Sequence, residues 1–438
     1  MSDRRYAWYV VGVLTLANIS GWIDRQILNL LAPAIRRDLG LSMTEMGFLI
    51  GLPFAIFFTV MGIPIARMAD SGNRRNIIAA GIALWSVMTA LCGVAGSYSR
   101  LLLARIGVGV GEAALQAPGT SLITDYFPRE KLGTAMGVYS MAIYIGAGFA
   151  YLVGGWVIGL VSTEQTWTWP LIGSIRPWQS VFLAVGLPGL LIALLMLTVR
   201  EPQRQQKDRT AVPLSTLFRY VKENLRTFLC LTLGYALSAT VNLAIAAWLA
   251  TFLTETHGWS ASRAGIVMGL LTMTVGTIGV VTGGRVADAF VRSGRADGAL
   301  RVGVIGAIGM LVSATAYPFA PTATAAVVWL VFVNFFAAFP WGAASAAVAQ
   351  IVPPSMRAQG VALYLFVQTP IAVALGTISV AMVTDYVFHD DSAIRYSLAI
   401  VNVVGMTGAI AFFVAGLPAY RRTLALRDQW SAAAPPAA

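Results

Sequence analysis

Arg105 and Glu112 stand seven residues apart in Leu101 to Gln116, L-L-L-A-R-I-G-V-G-V-G-E-A-A-L-Q, a run that is otherwise apolar, glycine or amide. An arginine and a glutamate placed in oil are equipped to hold an anion, to hold each other or to carry a proton. Seven residues make about two helical turns, so both project from one face with roughly 10 Å of rise between them, and Gly109 and Gln116 share that face. A second couple, Asp24 and Arg25, interrupts the first apolar run at 8–31. A charge at mid-depth of a bilayer costs between about 2.5 and more than 10 kcal/mol, so such residues face a bundle interior or a wet cavity. These four are the only Asp, Glu, Lys, Arg or His side chains placed at membrane depth, and all of them fall in the first half of the chain.

Other chemistries are poorly supplied. His257 and His389 are isolated in loops, Cys92 and Cys230 sit in apolar runs as inert packing, and no H-E-x-x-H, G-x-S-x-G or G-x-x-x-x-G-K-[ST] occurs. No nucleophile, base and orienting group can be assembled at depth. The chain is therefore expected not to be an enzyme, and no metal or cofactor is expected.

The elements that position the four charges are membrane helices. Of 438 residues 57% are hydrophobic and only 11% charged, against about 25% charged in soluble globular chains. The net charge of +11 is spread singly and in pairs between apolar runs, with no basic face for nucleic acid. Apolar runs at 8–31, 45–68, 75–96, 99–125, 132–160, 178–199, 226–253, 261–288, 299–318, 323–351, 358–386 and 393–418 each approach or exceed the roughly 20 residues needed to span. The first is too long for a signal peptide and carries Asp24 and Arg25, so it is read as retained. With a cytoplasmic N-terminus, 22 basic residues fall inside and 6 outside, which predicts that both termini are cytoplasmic. Trp167, Trp169 and Trp178 in an outer loop read as an interfacial belt.

A polar stretch at 200–223 parts six spans from six. Ala66-Arg67-Met68-Ala69-Asp70 after the second span matches Gly284-Arg285-Val286-Ala287-Asp288 after the eighth, and Pro128/Tyr139 recurs at the same separation as Pro353/Tyr364. A duplicated six-helix unit is the layout of transporters whose site lies between two halves. The expected organisation is an all-α membrane fold of two pseudo-symmetric six-helix bundles at 1–200 and 226–420, a cytoplasmic linker at 201–225 and a tail at 421–438.

With these twelve spans, A-R-M-A-D-S-G-N-R-R at 66–75 resembles the signature loop of the major facilitator superfamily, G-x-L-x-D-R-x-G-R-K, keeping Asp70, Arg74 and Arg75 but with Ser71 and Asn73 in place of the usual basic residue and glycine. Asn73, Asp24-Arg25, R-I-G-V-G-V-G-E-A and Arg200-Glu201-Pro202 together resemble its spinster branch. Ala150-Tyr151 stands where the superfamily's drug antiporters have Gly-Pro. The resemblance implies helices one and four side by side on a central cavity, alternating access, and lipid-like substrates such as sphingosine phosphates or lysophospholipids.

On that basis the four charges are expected to meet as acid-base pairs. Asp24 and Glu112 are the expected proton carriers, since no histidine lies at depth. Arg25 and Arg105, charged at any accessible pH, are the expected anchors of an anionic head group, with Asn18, Gln116, Asn242, Asn334, Trp341 and Gln368 completing a substrate site. The resemblance further implies a gating role for Asp70, Arg74 and Arg75, with Asp288 as the counterpart of Asp70. The expected activity is proton-coupled transport of an amphipathic anionic or zwitterionic organic molecule by a monomer in a bacterial inner membrane. The alternatives are a sugar-acid or carboxylate symporter, a multidrug antiporter, and an uncoupled facilitator or channel.

Overall fold

The computed structural model describes residues 3–127, 129–161, 167–169, 173–202, 213–353 and 356–433. Twelve spans follow one another. The first is α1 (Asp3–Leu39); the second is α2 (Met43–Ile50) with α3 (Leu52–Ser71), parted at Gly51; then come α4 (Arg74–Cys92), α5 (Tyr98–Tyr126), α6 (Arg129–Val161) and α7 (Pro177–Leu197). A short helix in the linker, α8 (Leu214–Glu223), precedes α9 (Leu225–His257). The eighth span joins α10 (Ala261–Leu271) to α11 (Thr277–Arg292) through a π-helical turn, and α12 (Gly298–Ala316) is the ninth. The tenth is α13 (Ala323–Ala338) with α14 (Trp341–Ile351), and α15 (Arg357–Met382) and α16 (Ile394–Ala433) complete the set.

Ten helices among the described residues are long and apolar enough to cross a membrane by composition. The other two spans miss that measure for chemical reasons. Charge and glycine dilute α5. The tenth span breaks at Pro340, the N-cap of α14, because a proline ring offers no N–H to the preceding turn.

One departure from an all-helical reading lies in the loop before α7, where β1 (Trp167–Trp169) pairs antiparallel with β2 (Gly173–Ile175). A Trp-Thr-Trp run suits a pleated ribbon better than a helix. The side chains of Trp167 and Trp169 lie outside the described residues. Trp178 is no interfacial anchor: it is buried, and its indole N–H donates to Asp38 Oδ2 at 2.8 Å. Asp38 also pairs with Arg176.

The chain packs as two compact units, Met1–Lys207 with Ala246–Met273, and Asp208–Ile245 with Thr274–Ala438. In the first, α4 packs on α5 and α7, α1 on α6, α3 on α5 and α10 on α6. A Cβ on Gly81 would stand 2.4 Å from Ala114 Cβ, and one on Gly111 2.7 Å from the Trp85 nitrogen, so glycine is what lets α4 and α5 cross closely enough to seal the face beside Glu112. Around that crossing Leu14, Ile82, Trp85, Val108 and Leu115 form a dry core. In the second unit α12 packs on α13 and α16, and the Phe413 ring lies edge-on to Tyr235 at 4.8 Å between centroids.

Candidate substrate and proton site

Asp24 and Arg25 are neighbours on α1 and therefore point about 100° apart, so they do not pair with each other. Arg105 and Glu112 share a face of α5, but two turns of rise hold them apart. The ions pair between helices instead. Arg25 Nη2 lies 2.5 Å and Nε 2.6 Å from Glu112 Oε2. Both contacts converge on one oxygen, and Glu112 Oε1 has no hydrogen-bond partner. In this pair α1 supplies the cation and α5 the acid.

The two members of this pair differ in access. The Arg25 side chain is 25% exposed and that of Glu112 only 3%. Aromatic rings surround the guanidinium, with Trp22 at 5.1 Å, Phe54 at 4.8 Å and Phe58 at 5.1 Å from its central carbon. Rings presented to a guanidinium within about 6 Å attract it electrostatically. They hold the partly exposed Arg25 beside its buried acid.

Arg105 is walled in at 2% exposure. Its Nη1 donates to the Asp24 backbone oxygen at 3.3 Å, its Nε has no partner, and Phe54 lies 5.4 Å away. Asp24 is buried as well, with Oδ1 unpartnered. Four ionisable groups therefore share one buried patch of the first unit, and three unused polar atoms among them mark where a proton or a rearranged hydrogen bond can go.

Asn18 borders this patch, its side-chain N–H donating to the Tyr139 carbonyl at 3.4 Å. Gln116 is half-buried one turn beyond Glu112. Residues to which sequence reasoning gave no part in the site lie close by. Gln26 Oε1 accepts from Tyr151 at 2.7 Å and from Asn29 at 2.8 Å, and the buried Tyr139 hydroxyl has no partner. Tyr151, noted only because it replaces a proline, proves to be a buried hydrogen-bond donor to α1.

In the second unit Trp341 and Gln368 come together in a pocket of about 30 Å³ that Tyr235, Ser238 and Tyr364 also line. Trp341 is 46% exposed, whereas Gln368 is buried. Asn242 reaches the same neighbourhood, donating to the Ala337 carbonyl at 3.5 Å. Asn334 donates to the Leu330 carbonyl of its own helix at 2.9 Å. No Asp, Glu, Lys, Arg or His lines this pocket among the described residues.

At the helix ends the hub is Arg74. It is buried and donates to Glu201 Oε1 at 2.7 Å, Ser121 Oγ at 2.8 Å and Asp125 Oδ2 at 2.6 Å. The Arg75 backbone N–H holds the other Glu201 oxygen at 3.0 Å, and its side chain meets Asn76. Asp70 closes α3, but its side chain lies outside the described residues. In the second unit Asp288 is exposed, and the buried acid is Asp297, at 0%, held by Arg301 at 3.0 Å and Arg421 at 2.7 Å. Burial pushes the Asp297 carboxyl up, but the hydrogen bonds and charges of the two arginines outweigh it and leave the group below its ordinary range. Sequence reasoning passed over Asp125 and Asp297; an acid beside a span end whose partner helix starts or ends with arginine was the available signal.

The Major Facilitator Superfamily pattern matches residues 14–377. An MFS-type efflux pump of Mycolicibacterium smegmatis is 28% identical over 96% of this chain and 95% of its own. A probable L-galactonate transporter of Escherichia coli is 25% identical over 91% of this chain and 87% of its own. A crystal structure of a bacterial homologue of the human lysosomal transporter spinster, inward-facing and unoccupied, superposes with a TM-score of 0.76 at 29% identity, covering 98% of this chain and 99% of that one. The chain is an integral membrane protein and belongs to the Major Facilitator Superfamily, as one of its spinster-like transporters.

Proposed function

We propose that this protein is a proton-coupled secondary transporter that moves an anionic or zwitterionic amphipathic molecule by alternating access. The observation that carries the reading is the Arg25–Glu112 pair, in which the cation is reachable and the acid is not. An incoming phosphate or carboxylate takes over the Arg25 guanidinium. Glu112, deprived of its counter-charge in an apolar setting, accepts a proton in exchange. Cargo and proton therefore favour each other's binding. Asp24, next to Arg25 in sequence and linked through its backbone oxygen to Arg105, is the second carrier. Arg105, sealed against α1, orients this chemistry and meets substrate only if the patch opens.

The aromatic collar of Trp22, Phe54 and Phe58 suits an apolar tail beside an anionic head, and the resemblance to the spinster branch implies a lipid-like cargo. The working organisation is two six-helix bundles, 1–200 and 226–420, joined by 201–225 and followed by 421–438, acting as a monomer in a bacterial inner membrane with both termini cytoplasmic. Arg74, Arg75, Asp70 and Asp288 serve as gating residues in this scheme. A sugar-acid cargo is the second reading, favoured by the L-galactonate relative and by the equal fit of Arg25 to a carboxylate.

Thermal-shift measurements on the purified protein separate these cargoes. A lysophospholipid should raise the melting temperature and an Arg25→Gln variant should not respond. A response to sugar acids alone gives the second reading, and a response only to cationic drugs contradicts both.

A further inference from the structure

We propose that the second unit carries a phospholipid head-group site, separate from the transport machinery, where α8, the start of α9 and the end of α16 meet. A cavity of about 430 Å³ opens there, lined among others by Tyr220, Asn224, Arg226, Thr227, Arg422 and Thr423. Its floor is built and polar. Thr227 and Thr423 hydroxyls lie 2.8 Å apart, Thr423 donates to Asn224 Oδ1 at 3.0 Å, and the Asn224 side chain donates to the Tyr220 carbonyl at 3.0 Å. The Tyr220 hydroxyl is spent below, donating to the Ile351 carbonyl. Arg226 and Arg422 stand exposed on the rim, and neither forms an ion pair with a described residue. Glu223 shares the rim.

Two guanidiniums over a floor of hydroxyls and an amide form a receptor for a phosphate, because arginine offers a planar fork that matches phosphate oxygens. The single carboxylate leaves the rim net cationic and gives an ammonium or hydroxyl of a head group its own place. Apolar surface beside the cavity argues for a lipid over a free ion. Leu225 and Leu229 are exposed one turn apart on α9, on the same turn as Arg226, Leu426 is exposed on the cavity lining, and Phe218 is exposed on α8. A phosphate seated between the arginines would lay its acyl chains along these side chains. Basic pockets at a membrane surface take lipid head groups in this way.

The test uses the full-length protein in a neutral detergent, titrated with short-chain phosphatidylglycerol, short-chain phosphatidylcholine and inorganic phosphate while the melting temperature is followed. Phosphatidylglycerol should stabilise saturably, and Arg226→Gln/Arg422→Gln should weaken its apparent affinity about 25-fold, roughly fivefold for each arginine. An equal response of wild type and double variant overturns the site. Stabilisation by inorganic phosphate at the same concentrations overturns the lipid assignment in favour of a free anion. Should the double variant not survive purification, Arg226→Gln alone decides, with a fivefold loss expected and an unchanged affinity contradicting the proposal.

Discussion

Tyr139 and Tyr364 stand at corresponding places in the two halves of the chain, eleven residues after Pro128 and Pro353, and both are buried. Their surroundings could hardly differ more. Tyr139 belongs to a patch where Asn18, Asp24, Arg25, Arg105 and Glu112 gather, whereas Tyr364 lines a pocket with Tyr235, Ser238, Trp341 and Gln368 that contains no charge among the described residues. Keeping an ion in oil is expensive, and leaving it half-satisfied more so. Among the described residues the duplicated framework carries that expense beside Tyr139 and not beside Tyr364, so two corresponding places differ in charge. The helix ends repeat the contrast with signs reversed, since a buried arginine is held by two acids in the first unit and a buried acid by two arginines in the second.

The largest effect expected is at the charged patch. Arg25→Ala leaves Glu112 buried without a cation and should lower stability by about 3 kcal/mol. Arg25→Met/Glu112→Leu should recover most of that loss in chemical denaturation while transport stays abolished. Recovery of transport along with stability would reduce the pair to packing and erase the contrast between the two places. Next is Arg74→Ala, which takes from Asp125 and Glu201 a shared buried cation and should cost about 2–3 kcal/mol. Arg74→Lys should restore only a minor part, because a point charge cannot reach three acceptors as a fork does.

For the inverted cluster, the Asp297 carboxyl is held below its unfolded value. Its contribution is present above about pH 4 and is lost as pH falls through the native pKa. Asp297→Asn should therefore be less stable than wild type by about 1–2 kcal/mol at pH 7, with the two melting curves converging as pH falls through the lowered native pKa. A difference that persists unchanged in acid would contradict the charge argument. The smallest effect belongs to the neutral pocket: Gln368→Ala should raise the half-saturating cargo concentration about fivefold and leave the response to a pH gradient intact.

Much of this architecture is legible in the residues alone. Twelve apolar runs, one dividing linker and two internal matches are long-range regularities, and the lipid solvent enforces them. The identity of the buried ions is equally plain, because any charge in an apolar run is conspicuous. Their partners are not. Spacing along one helix gives a face, yet Arg25 meets Glu112 through the packing of α1 against α5, and the glycine at that contact, Gly21, where a Cβ would stand 3.5 Å from the Glu112 carboxyl carbon, leaves no periodic trace. Asp297 escapes notice because its neighbour in sequence, Arg301, looks like an ordinary surface pair until Arg421 arrives from 124 residues away. The ribbon at Trp167 and the inward turn of Trp178 are hidden behind the habit of tryptophan at interfaces.

The proposed exchange of charge between cargo and proton at the Arg25–Glu112 pair is the step on which coupling depends, and reconstituted transport measures it directly. In proteoliposomes an imposed pH gradient should drive accumulation of labelled cargo by the wild type. Asp24→Asn should lose that accumulation while still exchanging cargo across the membrane at equilibrium. Flux independent of the gradient in both proteins would contradict the coupling, and with it the reason for keeping four ions in oil.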